Sequence, residues 1–242
     1  EWLAKREQTA RRKAARAGAD SDLDPEQQAK RTAAKDKRVA ERQRKVEIGL
    51  EELERWMRDL VRQGLAHAQQ QSARYWDGMA ERLWDAQARG LANWLRELAS
   101  IPASGEGWGE RLLAQLGSLY LLLEGHRRLD ILPEPLRADI RSRIGWSWQE
   151  ADLPADAWLR DRWLLVGQRG YEEEQMRVRR SWLWGQHHDR LALVLDFAHQ
   201  SQPMPPMAAP GSWLEAELGF FPSEYPQRAL LRHAIAVEDQ GM

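Results

Sequence analysis

The sequence predicts an α+β fold, in which an N-terminal helical bundle is followed by an antiparallel β-meander. Apolar residues recur at steps of three and four through residues 46–99, as on one side of a helix. After Pro154 the apolar spacing changes to a period of two, which is typical of strands. We therefore divide the 242 residues into a basic arm and linker (1–25), a helical domain (26–150) and an antiparallel β domain (151–242).

The N-terminal part of the chain is basic and rich in alanine. Residues 1–45 hold 14 Lys/Arg and 8 Asp/Glu, a net charge of +6, whereas the remainder holds 22 and 29, a net of −7. Pro25 is a good helix start, and residues 26–45 continue as charge and alanine with no apolar stripe, so we expect their Lys and Arg side chains to be exposed. The candidate contacts with a partner or with nucleic acid are Arg11, Arg12, Lys13, Lys37, Arg38, Arg42, Arg44 and Lys45.

Two interpretations of this basic arm remain open. The first is a solvated helix, and the second is an arm that follows a nucleic-acid backbone. The interspersed acidic residues and the lack of aromatic residues between the charges weigh against the second interpretation.

The longest helical pattern runs from Val46 to Ala99. Its first half places Leu50, Leu53, Met57 and Leu60 on one stripe, which we expect to be buried. A straight helix of this length would measure roughly 80 Å, so we expect a break between Gly64 and Ser72. The second half then forms one helix over residues 73–99.

Two shorter helices complete the helical domain. The first spans Glu110 to Leu129, and the second spans Leu136 to Ile144 and ends at Gly145. The side of the first helix that we expect to be buried carries Leu112, Leu113, Leu116, Leu119, Tyr120 and Leu123.

The β domain contains four strand patterns with short connectors. They cover residues 163–168, 176–184, 191–197 and 214–220, and residues 228–237 fit either a fifth strand or a short helix. Leu191, Leu193, Leu195 and Phe197 share one face of the third strand. The 13 tryptophans lie mostly at periodic apolar positions, which indicates packing in the core.

No set of residues in the sequence is typical of a catalytic or metal site. The chain has no cysteine, which excludes thiolate ligands, and adjacent histidines on a strand would point to opposite faces. We therefore interpret His187-His188-Asp189 as a hairpin turn and Glu172–Glu174 as a solvated hairpin tip. We expect no zinc or other cofactor in this chain and no enzymatic activity.

Four segments carry a resemblance to a known family. They are residues 1–6 (EWLAKR), residues 49–60 (GLEELERWMRDL), residues 84–91 (WDAQARGL) and the strand from Val178 to Gly185. The chain resembles the region C-terminal to the zinc finger in bacterial SWIM zinc-finger proteins. The Cys-x-Cys…Cys-x-His cluster that defines the finger is absent from these residues, so the resemblance places it upstream of Glu1 and carries no zinc ligand into this chain.

The resemblance implies a role in protein assembly. Proteins of this family are associated with MoxR-type AAA+ ATPases and von Willebrand A-type proteins, and the finger is thought to bind nucleic acid or protein. We therefore expect a cytoplasmic, non-enzymatic scaffold that binds protein partners and does not enter a membrane. The alternative is a nucleic-acid-binding module that uses the basic arm at residues 5–45.

Overall fold

The computed structural model describes residues 25–173 and 176–237, which form a helical unit at 25–147 and a barrel unit at 148–237. The prediction of a helical bundle followed by a largely antiparallel sheet is confirmed. Residues 1–24, which include Arg11, Arg12 and Lys13, lie outside the described residues. The helices are α1 (Pro25–Gln63), α2 (Leu65–Gln70), α3 (Ala73–Asp85), α4 (Arg89–Leu98), α5 (Trp108–Arg127) and α6 (Glu134–Ile144).

The second half of α1 supplies one wall of the helical core. Val46, Leu53 and Leu60 are fully buried and Leu50 and Met57 nearly so, which confirms the predicted stripe. The predicted break is also confirmed, because α1 ends at Gln63 and Gly64 adopts a positive φ of 87°. Glycine reaches this left-handed region without the steric cost that a Cβ would bring.

The prediction of one continuous helix over residues 73–99 is wrong. Helix α3 ends in a Schellman motif, in which the Ala88 N–H donates to the Leu83 carbonyl (2.8 Å) and the Gln87 N–H donates to the Trp84 carbonyl (2.9 Å). Gln87 has a φ of 63°, a conformation that glycine usually supplies at this position. The apolar spacing continues through this break, because α4 buries Leu91, Leu95 and Leu98 in the same core as α3.

Helices α4 and α6 meet backbone to backbone at two glycines. A Cβ on Gly90 would lie 2.2 Å from the Arg143 carbonyl oxygen, and a Cβ on Gly145 would lie 2.9 Å from the Arg89 and Gly90 nitrogens. Gly145 also has a φ of 129° and ends α6 at the predicted position. This contact fixes the C-terminal end of α6 beside the first turn of α4.

Helix α5 buries a narrower stripe than the sequence predicts. Leu112, Leu116, Leu119 and Leu123 are buried, but Leu113 is 55% exposed and Tyr120 is 47% exposed. The predicted burial of Leu113 and Tyr120 is therefore wrong. An apolar residue on the flank of a helix is buried only where a neighbouring helix covers that flank.

The barrel unit is a closed five-stranded sheet with the order β1-β2-β3-β5-β4. Strands β1 to β3 follow one another as the predicted meander, but β5 lies beside β3 in parallel and β4 returns to pair with β1. The order 4-1-2-3 is that of a Greek key, and β5 closes the barrel. The strands are β1 (Trp158–Glu173), β2 (Met176–Gly185), β3 (Arg190–His199), β4 (Trp213–Phe220) and β5 (Arg228–Val237).

The core of the barrel lies on the opposite face of β3 from its large apolar residues. Ala192 and Val194 point into the core, whereas Leu191 is 53% exposed and Phe197 is 48% exposed on the outside. The sequence places Leu191, Leu193, Leu195 and Phe197 correctly on one face, but that face is the outer one. Small residues fill the interior of a narrow barrel, because its space is already taken by Trp163, Leu165 and Leu183.

The tryptophans divide between the two cores and the surface. Trp76 and Trp163 are fully buried, whereas Trp182 is 37% exposed, so the assignment of tryptophans to core packing does not hold for Trp182. Among the described residues, none of the helices combines the length and the apolar character needed to cross a bilayer.

Candidate functional site

An apolar groove lies between α1 and α5 in the helical unit. Its volume is about 400 Å³, and buried Met57 and Leu116 line it together with exposed side chains. Val61 and Leu113 are each 55% exposed, and Tyr120 is 47% exposed. Exposed apolar side chains that adjoin one another at a concave surface are typical of sites where another molecule packs.

Gly117 keeps this groove open on the α5 side. It lies one turn from both Leu113 and Tyr120, and a Cβ added there would meet no atom within 4 Å. The space above this glycine is therefore available to a side chain from another molecule.

The polar border of the groove centres on a buried carboxylate. Glu54 is 8% exposed, accepts a hydrogen bond from Arg58 (2.6 Å), and forms an ion pair with Arg127 across to α5. The hydrogen bond from Arg127 to Glu54 raises the pKa of the arginine. Arg58 and Arg62 on the α1 border remain largely exposed, and they pair with Glu54 and Asp59 respectively.

The basic residues predicted as contacts are distributed along the N-terminal half of α1. Lys37, Arg38, Arg44 and Lys45 are exposed, and they precede the first fully buried residue of the helix, Val46. These four side chains do not line the groove between α1 and α5.

The prediction that Arg42 is exposed is wrong, because this residue packs within the helical unit. It is half-buried, its Nη2 donates a hydrogen bond to the Gly145 carbonyl oxygen (2.9 Å), and its guanidinium lies 4.9 Å from the centre of the Trp146 ring. Burial and the nearby Arg89 lower its pKa. Arg42 therefore ties α1 to the end of α6, where the carbonyl groups of a helix attract a cation.

The histidine pair of the barrel forms the predicted hairpin turn between β2 and β3, but it encloses a carboxylate that sequence reasoning missed. The side chain of Asp161 on β1 is fully buried. Its oxygens face the Nδ1 atoms of His187 (2.6 Å) and His188 (2.8 Å) and accept hydrogen bonds from the backbone N–H groups of the same residues (3.1 and 3.0 Å). Burial raises the pKa of Asp161, but these hydrogen bonds outweigh burial and hold it well below its usual range.

The chemistry of this cluster fits a structural role. Both oxygens of the Asp161 carboxylate accept hydrogen bonds from the turn, and Oδ1 also accepts one from the Arg162 backbone N–H (2.6 Å), so the carboxylate fixes both histidine rings. Within residues 25–173 and 176–237, no three His, Asp or Glu side chains are grouped as they would be around a metal ion. The expectation that the chain binds no zinc stays a prediction.

Comparison with protein families identifies the helical unit. Residues 41–144 match the family model of the SWIM-associated four-helix bundle domain, and this range runs from α1 to the end of α6. Searches of curated proteins and of solved structures find no significant match. The match confirms the resemblance noted in the sequence, and it shows that residues 41–144 of this chain are similar to the SWIM-associated four-helix bundle domain.

Proposed function

We propose that this chain is a non-enzymatic scaffold whose helical unit binds a protein partner in the groove between α1 and α5. The observation that carries the proposal is the continuous apolar surface of Val61, Leu113 and Tyr120, each about half exposed above buried Met57 and Leu116. Leaving such side chains in water is unfavourable, and a partner that covers them gains the free energy of their burial.

The dimensions and charges of the groove suit an amphipathic helix. Two α-helices form its walls, and a third helix packs between them by placing apolar residues at steps of three and four. Arg58 and Arg62 on the α1 border are largely exposed, so acidic residues that flank this apolar stripe would compete with Glu54 and Asp59 for them. We therefore propose a partner segment that is helical, apolar on one side and acidic beside it.

The family resemblance suggests two candidate partners, a MoxR-type AAA+ ATPase and a von Willebrand A-type protein. The test is calorimetric titration of the chain with each purified protein from the same host. We expect one of them to bind, and Val61→Glu or Leu113→Glu to weaken binding by at least about tenfold, because a carboxylate in the groove would have to be desolvated.

Ile48→Glu provides a matched control, because Ile48 is also about half exposed on α1 but does not line the groove. We expect this variant to bind like the unchanged chain. Unchanged affinity in both groove variants, or equal losses in all three, would contradict the groove as the docking site.

A second candidate function is nucleic-acid binding by the basic arm. It is favoured by the N-terminal half of α1, where Lys37, Arg38, Arg44 and Lys45 are exposed and precede the residues that pack into the bundle. A helix with such a surface would contact phosphates through its side chains without reading bases.

The arm is tested by DNA and RNA binding at two salt concentrations. If the arm binds phosphates, affinity should fall steeply between about 50 and about 200 mM salt, and reversing the four charges should flatten this dependence. Affinity that is absent, or that does not change with salt, would exclude this function.

A further inference from the structure

The outer face of β1, β2 and β3 carries an extended apolar and aromatic surface. The strand register places Gly167, Trp182 and Leu193 side by side in one row across the three strands. The register places Tyr171, Val178 and Phe197 in a second row on the same face. We call this surface the β1–β3 face and define it by these two rows and by the row between them, in which Arg169 pairs with Arg180 and Arg180 pairs with Leu195.

The exposed fractions of the side chains distinguish this outer face from the buried core of the barrel. Trp182 is 37% exposed and Phe197 is 48% exposed, although the neighbouring positions Leu183 and Ala198 are buried. Val178 is buried but does not belong to the barrel core, which agrees with a position on the outside between Tyr171 and Phe197. The face therefore presents aromatic rings to solvent.

Two arginines lie in the middle row of the β1–β3 face. Arg169 and Arg180 are cross-strand neighbours and both are exposed, and the Arg180 guanidinium lies 5.0 Å from the centre of the Tyr171 ring. The next row toward the β1–β2 hairpin pairs Glu173 with Met176, so an acidic residue follows the face at that end. Glu172 is exposed at the β1–β2 hairpin, so the favourable region for an anion lies on the strands and not at the hairpin tip.

We propose that the β1–β3 face binds a short single-stranded nucleic acid. Bases stack on Trp182 and Phe197, while Arg169 and Arg180 contact the phosphates between them. Gly167 lies beside Trp182 and has no Cβ, and the space where a Cβ would stand is open, so a base has access to the side of the indole ring. The proposal concerns the barrel unit, and it is independent of the groove in the helical unit.

Single strands fit this face better than the other nucleic-acid forms. Bases in a duplex are already stacked on one another and leave no ring face for Trp182, whereas an unpaired base offers its whole surface. Five-stranded Greek-key barrels use the same β2–β3 side to bind oligonucleotides in other proteins, and this parallel is an analogy of architecture alone. Tyr225, which is 78% exposed in the β4–β5 loop, adds an aromatic ring to the barrel surface.

The test is anisotropy of a fluorescein-labelled oligonucleotide of about 12 nucleotides titrated with the full chain. We expect Trp182→Ala to weaken binding by at least about fivefold and Trp182→Phe to restore most of it, because phenylalanine retains a ring on which a base stacks. Arg180→Glu should also weaken binding. The slope of log Kd against the logarithm of the salt concentration should fall by about 0.7, because one phosphate contact is lost.

Two control variants identify which part of the chain binds. Arg128→Glu reverses a charge that is also exposed but lies on the helical unit, and we expect this variant to bind like the unchanged chain. Joint reversal of Lys37, Arg38, Arg44 and Lys45 should also leave the effect of Trp182→Ala in place. Circular dichroism confirms that each variant is folded.

Three results would overturn the proposal. The first is no binding at about 50 mM salt, and the second is binding that is lost only when the charges of α1 are reversed. The third is self-association, measured by sedimentation, that Trp182→Ala abolishes without any change in oligonucleotide affinity. That last result would assign the β1–β3 face to contact with a second copy of the chain.

Discussion

The Asp161 carboxylate stabilises the turn between β2 and β3 from inside the barrel. A buried carboxylate is costly unless hydrogen bonds compensate for the lost water, and here the backbone and ring N–H groups of His187 and His188 and the Arg162 backbone N–H surround it. Each histidine contributes its backbone and its ring, so the turn and the carboxylate depend on each other.

We predict that Asp161→Asn lowers the free energy of unfolding by about 1.5–3 kcal/mol at neutral pH, the range for hydrogen bonds to a charged group. The asparagine amide would place N–H donors against the donors of His188 or His187. Asp189→Asn is the matched control, because Asp189 lies in the same turn but accepts one hydrogen bond, from Trp184, at an exposed position. Urea denaturation of both variants measures the difference, and equal losses would contradict the role of Asp161.

The same residue gives stability a defined pH dependence. The folded-state pKa of Asp161 is lower than its unfolded value of about 4, so its contribution is fully present above that pH. It is lost as the pH falls below about 4 toward the folded pKa. We therefore expect the stability difference between the unchanged chain and Asp161→Asn to narrow in that range, as followed by urea denaturation at several pH values.

The sequence could predict the turn at His187 and His188 but not the carboxylate that holds it. Asp161 lies 26 residues before His187, and their approach depends on the register of β1 with β2. That register shifts between Leu165 and Gly167, and a glycine within a strand is typical of a bulge but does not say which residues pair on either side of it. Arg42 was predicted to be an exposed contact residue for a related reason, since its partner Gly145 is 103 residues away in the sequence.

At the scale of single elements, the end of α3 uses glutamine where glycine is usual. We predict that Gln87→Gly raises the free energy of unfolding by about 0.5–1 kcal/mol, because glycine adopts the left-handed conformation without a Cβ clash. Gln71→Gly is the control, since Gln71 also follows a helix but has a φ of −75°. Thermal denaturation should show an increase for Gln87→Gly alone.

Helix α1 allows a prediction that separates exposed from buried cations. Reversal of Arg38 and Lys45 to glutamate should leave the melting temperature nearly unchanged, because both side chains are exposed. Arg42→Glu should lower it by an amount equivalent to about 1–2 kcal/mol, since the hydrogen bond to Gly145 and the contact with Trp146 are lost. A melting temperature that falls equally in the two variants would contradict this distinction.

The buried side of an element could be predicted where the segment has one apolar side, but not where both of its sides are apolar. The stripe of α1 is flanked by charged residues, so its buried side follows from the sequence. In β3 both sides are apolar, and the side with Ala192 and Val194 is buried because the barrel interior is narrow. The end of α3 was missed because its left-handed residue is glutamine, which carries no turn signal.

At the scale of the whole molecule, the two units have separate cores. The buried cluster of the helical unit contains Leu53 and Trp76, that of the barrel contains Trp163 and Leu214, and the two clusters share no residue. A family model covers the first unit only. The apolar spacing changes after Pro154 because the helices before it form the first core and the strands after it form the second.

Because the cores are separate, we predict that a core mutation in one unit destabilises that unit alone. We expect Leu53→Ala to reduce the stability of the helical unit by about 2–5 kcal/mol, because Leu53 is fully buried and its truncation leaves a cavity. Hydrogen–deuterium exchange followed by mass spectrometry should show faster exchange at residues 46–144 and unchanged exchange in β1 to β5. Leu214→Ala, a fully buried leucine in β4, should give the converse pattern. Faster exchange in both units after either mutation would mean that they unfold as one, and the two buried clusters would then not be independent units of stability.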